Sequence, residues 1–158
     1  MNSLIKIRSA KNHDAKKIYE LLCEKEDFLF DIATFEINYR ICIGDARNIY
    51  MVAVDKSNVV VGFISCHGQI VLHHGGVIYE VKELFIEKKY GINGIGKMLL
   101  REMQTELSKK EYRSLEASVD NQKNDLIQLY KNAGFDQKQI KLISSKIKDG
   151  KNKILSQV

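Results

Sequence analysis

Gly91, Gly94 and Gly96, with Lys97 directly after, stand between an apolar stretch ending in Leu84-Phe85-Ile86 and an amphipathic run through Leu99 and Leu100. Residues of these types in this order make an anion site. Glycine reaches backbone conformations closed to other residues and leaves the main chain open to close approach by a ligand. The unpaired N–H groups of a helix's first turn, at the positive end of its dipole, then point at a phosphate. Two further groups can move protons. Glu80 lies on the stretch before the glycines, and a carboxylate can take a proton from an alkylammonium. Tyr130 supplies a phenol, whose reference pKa of about 10 lets it give a proton to a departing thiolate.

Two phosphate-binding patterns are met in part. G-x-x-x-x-G-K-[ST] is matched by Gly91, Gly96 and Lys97, but Met98 stands where a hydroxyl should ligate magnesium, which counts against a nucleotide-binding P-loop. G-x-G-x-x-G is matched by Gly94 and Gly96 but not by Leu99, and no N-terminal βαβ unit surrounds it. A third pattern, [QR]-x-x-G-x-[GA], is met by Gly91-Ile92-Asn93-Gly94-Ile95-Gly96 except at its first position. A plain turn joining strand to helix would use the same glycines. Glu80 likewise has a bland reading as a solvated strand carboxylate, and Tyr130 as an aromatic packed beneath a sheet.

The elements that must position these groups follow from periodicity. A short strand over Leu4 to Arg8 leads through Asn12 or Asp14, as a cap, into a helix to about Glu24 with Ile18, Leu21 and Leu22 as its buried stripe. A second helix runs from about Asp31 to Ile43 and places Phe35, Tyr39 and Cys42 on one face. Strands over Ile49 to Val54 and Val59 to Ile70 are joined by Asp55-Lys56-Ser57-Asn58, and after the turn at Gly75-Gly76 a third long strand covers Val77 to Ile86. Strict alternation puts Val77, Tyr79, Val81 and Glu83 on one face of it and Ile78, Glu80 and Lys82 on the other, unless a bulge intervenes. Ile95, Leu99, Met103 and Leu107 predict a helix to about Lys110. A strand over Ser114 to Val119, a helix over Asp125 to Asn132 ended by Gly134, and a last strand near Ile140 to Ile147 complete the order βααβββαβαβ. That order gives an α/β (α+β) fold with a mixed, mostly antiparallel sheet flanked by helices, as one domain over 1–148 with a flexible tail over 149–158.

Composition narrows the function classes. A chain of 158 residues is long enough to bury a core, and no run of apolar residues is long enough for a membrane span or a secretion signal. These features predict a cytoplasmic protein. Cys23, Cys42 and Cys66 are odd in number and widely spaced, which fits buried thiols and neither a disulfide framework nor a metal site. The net charge of +5 comes from scattered lysines without interleaved aromatics, a pattern that argues against nucleic acid and suits attraction of a polyanionic small ligand.

The glycine stretch of residues 83 to 100, together with Leu129-Tyr130-Lys131-Asn132-Ala133-Gly134-Phe135, resembles the GNAT superfamily of N-acetyltransferases, and the element order matches it over about residues 4 to 147. Phe30-Asp31, His67-x-Gln69, Leu72-His73-His74, Glu80 and Glu83-Leu84 are similar to the pattern of bacterial aminoalkylphosphonate N-acetyltransferases. The departures are Gly91 for an arginine, Ile92 for a glycine, and Lys123 for an asparagine. The resemblance implies an acetyl-CoA-dependent enzyme that acetylates a primary amine of a small molecule by direct transfer in a ternary complex, with an aminoalkylphosphonate as the narrower acceptor class. A P-loop-like nucleotide enzyme and a catalytically silent acyl-CoA-sensing domain are the alternatives.

The same resemblance implies roles by position. A bulge in the strand over Val77 to Ile86 splays it from its neighbour, and main-chain groups of Leu84, Phe85 and Ile86 hold the pantetheine arm and the thioester oxygen. Gly91, Ile92, Asn93, Gly94, Ile95, Gly96 and Lys97 form the pyrophosphate loop. Glu80 is the candidate general base, directly or through a water, and Tyr130 the candidate general acid. Asp31, Tyr39, His73 and His74 are the candidate acceptor-binding residues; a cap and a core position explain Asp31 and Tyr39 equally well, and because adjacent strand histidines point opposite ways a surface loop is the better reading of His73 and His74. Glu83 is expected to be structural and His67 half-buried. No dedicated metal site is predicted, although the phosphonate-type likeness allows a divalent ion held by His73, His74 and Glu80. A homodimer paired through strands near the C-terminus is compatible with the fold.

Overall fold

The computed structural model describes residues 4–25 and 31–138. The elements are β1 (Lys6–Ser9), α1 (Ala15–Lys25), α2 (Ile32–Gly44), β2 (Ile49–Val54), β3 (Val60–Val71), β4 (Gly76–Ile86), α3 (Ile92–Leu107), β5 (Ser114–Ala117) and α4 (Asn124–Asn132). They form a mixed sheet in the order β1-β2-β3-β4-β5. The first three pairings are antiparallel and β4 pairs β5 in parallel, as a βα crossover through α3 requires. The expected order holds through α4. The last predicted strand, over 140–147, and the tail over 149–158 lie outside the described residues.

Alternation along the strands divides the core in two. Met51 and Ala53 face α3 and α4, with Ile95, Leu99, Met103 and Leu107 of α3 nearly inaccessible against them. Burying a leucine of this kind is worth about 2 kcal/mol. Val52 and Val54 face the opposite way, toward Ile18 and Leu21 of α1 and Tyr39 of α2. The start of α1 is fixed by Asp14, buried, whose carboxylate accepts from both Arg8 guanidinium nitrogens at 2.8 and 2.9 Å and from the Lys11 N–H at 2.7 Å. The Tyr39 hydroxyl donates to the Lys11 carbonyl at 2.8 Å and ties α2 to the same junction. α2 is a poorly amphipathic helix, with Ile37 and Ile41 left 58% and 67% exposed.

The irregularity that matters for function is in β4. Phe63 pairs with Phe85, Ser65 with Glu83, and His67 with Glu80; Cys66 pairs with Val81, which leaves Lys82 with no opposite residue. That is a β-bulge. Directly opposed residues share a face, so Glu80, Glu83 and Phe85 all face α1 and α2, while Leu84 and Ile86 pack on the α3 side. Strict alternation, which separates Glu80 from Glu83, is thus corrected by one extra residue. Beyond the bulge β4 also parts from β5: the parallel pairing covers only Ile78 to Val81. From Lys82 to Ile86 that edge of β4 meets no strand among the described residues.

Candidate active site

A cavity of about 500 Å³ lies between α1, α2 and this face of the sheet. Its walls are largely apolar, from Ile18 and Leu22 of α1, Phe35 and Tyr39 of α2, and Phe63 and Phe85 of the sheet; the polar groups come from Thr34 and Asn38 of α2 and from Tyr50, His67, Lys82 and Glu83. A second hollow of about 350 Å³ adjoins it, sharing Cys42, His67 and Lys82 and adding Asp45, Arg47, Asn48 and Gln69. Few convergent polar groups in an apolar cleft is the usual form of a small-molecule site.

The polar groups are set by burial and by one another. Burial lifts the Glu83 carboxyl to about 7, with Lys82 pulling the other way. The Ser65 hydroxyl donates to Glu83 Oε2, and the Glu83 N–H donates to Ser65 Oγ at 3.1 Å. Tyr50 and His67 share a hydrogen bond of 2.7 Å between hydroxyl and Nε2, and burial, aided by Lys82, holds the imidazole below its ordinary value. Glu80 lies opposite His67 with its side chain only 12% exposed; it accepts from Lys82 Nζ at 2.7 Å and from the Ser118 hydroxyl at 3.2 Å.

The other face of the sheet carries the phenol and the glycine stretch. Tyr130 is buried on α4 with its ring 5.0 Å from that of Phe135. Burial, with Cys66 nearby, pushes its phenol up, so the group is protonated at neutral pH. Cys66 adjoins Ser65 on β3, which puts Tyr130 across the sheet from the Ser65–Glu83 pair. Gly91 precedes α3 with φ +68° and ψ 160°, a conformation that favours glycine. α3 then begins at Ile92, and the helix itself offers no acceptor to its first N–H groups. Gly96 lies in α3, where a Cβ would stand 2.9 Å from Ile92 Cγ1 and 3.2 Å from Leu129 Cδ2. Its lack of a side chain serves the packing of α3 on α4. Lys97 is exposed at the helix surface and the Ile95 side chain is buried.

The structure brings some of the sequence-derived residues together and separates others. Tyr39 lines the cavity and Glu80 lies beside it on the same face. Asp31 caps α2, accepting from the Thr34 N–H at 2.9 Å and the Thr34 hydroxyl at 2.8 Å. His73 and His74 occupy an exposed turn at the tip of the β3–β4 hairpin, their rings 4.2 Å apart, and neither lines the cavity. Ser65, Tyr50, Lys82 and the cavity role of Glu83 were not visible from spacing. One signal could have found the Ser65–Glu83 pair: a single-residue bulge in β4 brings the two into register. Among the described residues no group of three His, Cys, Asp or Glu side chains could hold a metal ion, and no helix is long and apolar enough to cross a membrane.

The model of the acetyltransferase (GNAT) family matches residues 15–135. An aminoalkylphosphonate N-acetyltransferase of Salmonella typhimurium is 28% identical over 131 residues, covering 83% of this chain and 84% of the relative. Among solved structures, one described as a possible acetyltransferase from Clostridium difficile 630 superposes with a TM-score of 0.74 at 18% identity, covering 92% of this chain and 99% of the other. An aminoglycoside 6'-N-acetyltransferase from Acinetobacter baumannii superposes with a TM-score of 0.72 at 11% identity, covering 91% and 99%. At these identities the structural likeness speaks for the fold.

Proposed function

Because the chain belongs to the GNAT acetyltransferase family, we propose that it transfers an acetyl group from acetyl-CoA to a primary amine of a small molecule, directly and within a ternary complex. The observation that carries this reading is the bulge at Lys82. It turns Glu83 toward the apolar cavity on the side of Glu80, at the point where the pairing of β4 with β5 stops and leaves one edge open from Lys82 to Ile86.

Acetyl-CoA fits what the structure offers. Main-chain groups of Leu84 and Ile86 lie on the open edge and suit the pantetheine arm and the thioester oxygen, whereas those of Phe85, opposite Phe63, point toward β3. The Gly91 turn and the first N–H groups of α3 suit the pyrophosphate. The amine occupies the cavity beside Glu83, with Glu80 as a proton acceptor directly or through a water, and Tyr130 returns a proton to the departing thiolate from across the sheet.

An aminoalkylphosphonate is the acceptor class proposed. The Salmonella relative's name supports it, and the outer hollow carries two cations, Lys82 and Arg47, which an acidic group would draw from their present partners Glu80 and Asp45, at 2.7 and 2.8 Å. A thiol-release assay across aminoalkylphosphonates, polyamines, amino acids, aminoglycosides and a peptide N-terminus tests both levels. The expected result is release with small amines and the highest kcat/KM for aminoalkylphosphonates. Binding of acetyl-CoA with no release from any amine would favour a sensing domain instead.

A further inference from the structure

Ser65 and Glu83 form a unit that the roles assigned to Glu80 and Tyr130 leave unused. Ser65 is wholly inaccessible, and its side chain is one of two buried polar or charged ones among the described residues. A buried hydroxyl in the centre of a sheet needs a partner, and here it has one on both counts: it donates to the Glu83 carboxylate and accepts the Glu83 N–H at 3.1 Å. Two hydrogen bonds to one residue fix both the backbone at the bulge and the carboxylate above it. The bulge itself decides which way that carboxylate faces.

We infer that Glu83, seated by Ser65, is the first proton acceptor of the reaction, and that Ser65 is its positioning residue. This rests on the acetyl-transfer reading and adds to it a division of labour between two carboxylates. Glu83 lines the cavity that receives the amine, whereas Glu80 is engaged by Lys82 and Ser118 at the strand edge. Glu83 takes one proton from the ammonium and becomes the neutral acid. The freed lone pair attacks the thioester carbonyl, the C–N bond forms, the C–S bond breaks, and the thiolate takes a proton from Tyr130. The second amine proton, released as the amide forms, replenishes Tyr130 through solvent. Glu83 passes its own proton outward by water, with Glu80 on the route, so the net products are amide, thiol and one proton.

The titratable neighbours leave this assignment intact. α2 presents Tyr39 and Cys42 to the cavity, β2 presents Tyr50, β3 presents His67 and β4 presents Lys82, while α1 contributes apolar side chains. Burial holds the phenols of Tyr39 and Tyr50 in their protonated form and the His67 imidazole below its ordinary value. A carboxyl lifted to about 7 by burial is then matched to accepting a proton near neutral pH and releasing it again.

The test uses the full chain and two readouts. In infrared difference spectra the wild type should show a carboxyl titrating near pH 7 that is lost in Glu83→Gln; no such group, or one that survives in Glu83→Gln, would overturn the assignment. In kinetics, Glu83→Gln should cost about 100-fold in kcat/KM and flatten the acid limb of the pH profile. Ser65→Ala should keep a limb but move it up by about one pH unit, because the lost hydroxyl favoured the charged carboxylate. Loss of the limb in Glu80→Gln with its retention in Glu83→Gln would overturn the inference while leaving acetyl transfer standing. A wild type that releases no thiol from any amine would count against acetyl transfer itself, and the infrared result would still decide the state of Glu83.

Discussion

The two faces of the sheet carry sites of different construction. On the face toward α3 and α4, the groups proposed to grip acetyl-CoA are main-chain ones, at the open edge of β4 and the first turn of α3; most side chains there are packed apolar residues. On the face toward α1 and α2, the working groups are side chains: Glu83 on Ser65, Tyr50 on His67, and Lys82 on Glu80. A main-chain site depends on the path of the backbone and tolerates changes of residue, which is how Gly91 can stand where the family pattern has Gln or Arg. A side-chain site depends on identity and protonation. The first face should therefore fail when packing is disturbed, and the second when a single polar atom is exchanged.

The largest expected effect comes from breaking the packing of the first face. Gly96→Val places carbon atoms where Ile92 and Leu129 already lie, and should cost about 3 kcal/mol of stability and displace the start of α3. Calorimetry below the variant's melting point should then show weakened acetyl-CoA binding. A variant with full cofactor affinity would break the link between the α3–α4 contact and the cofactor site.

Tyr130→Phe sharpens the same comparison, because it removes one oxygen and leaves the ring on Phe135. It should lower kcat by about 100-fold with little change in acetyl-CoA affinity. Full activity would reassign Tyr130 to packing. Glu80→Gln, on the other face, should lower kcat about tenfold and most at low pH, where the amine is protonated and a proton acceptor matters most. An unchanged pH–rate profile would remove Glu80 from proton transfer.

The smallest effect is on stability. The folded value of Glu83, about 7, lies above its ordinary 4.5, so the folded chain binds more protons between those pH values and stability falls as pH rises through that window. Glu83→Gln should therefore raise Tm by a few degrees at pH 8 and leave it nearly unchanged at pH 4. Equal shifts at both pH values would show that the carboxyl is not held above its ordinary value in the fold.

Much of the architecture was legible from periodicity. Ile95, Leu99, Met103 and Leu107 marked the buried stripe of α3, and the long apolar runs of β2, β3 and β4 had the lengths later seen. The family resemblance implied a bulge in β4, but its place at Lys82 was not legible from residue types. No glycine or proline marks it; it comes from the register that β3 imposes on β4, a contact between residues far apart in sequence. With it went the face of Glu83, the pairing with Ser65 and most of the cavity between the sheet, α1 and α2. Gly96 was legible as a glycine that matters, but sequence alone could not separate close helix packing from a phosphate cradle. His73 and His74 had the types of a binding pair, yet three local residues, Leu72 to His74, curl into a turn that leaves both rings at the hairpin tip.

In the proposed function the start of α3 and the open edge of β4 hold acetyl-CoA against the cavity of Glu83. Isothermal titration of the folded chain with acetyl-CoA tests it most directly. A saturable heat with one-to-one stoichiometry is the predicted result, and the absence of any saturable heat would contradict the account.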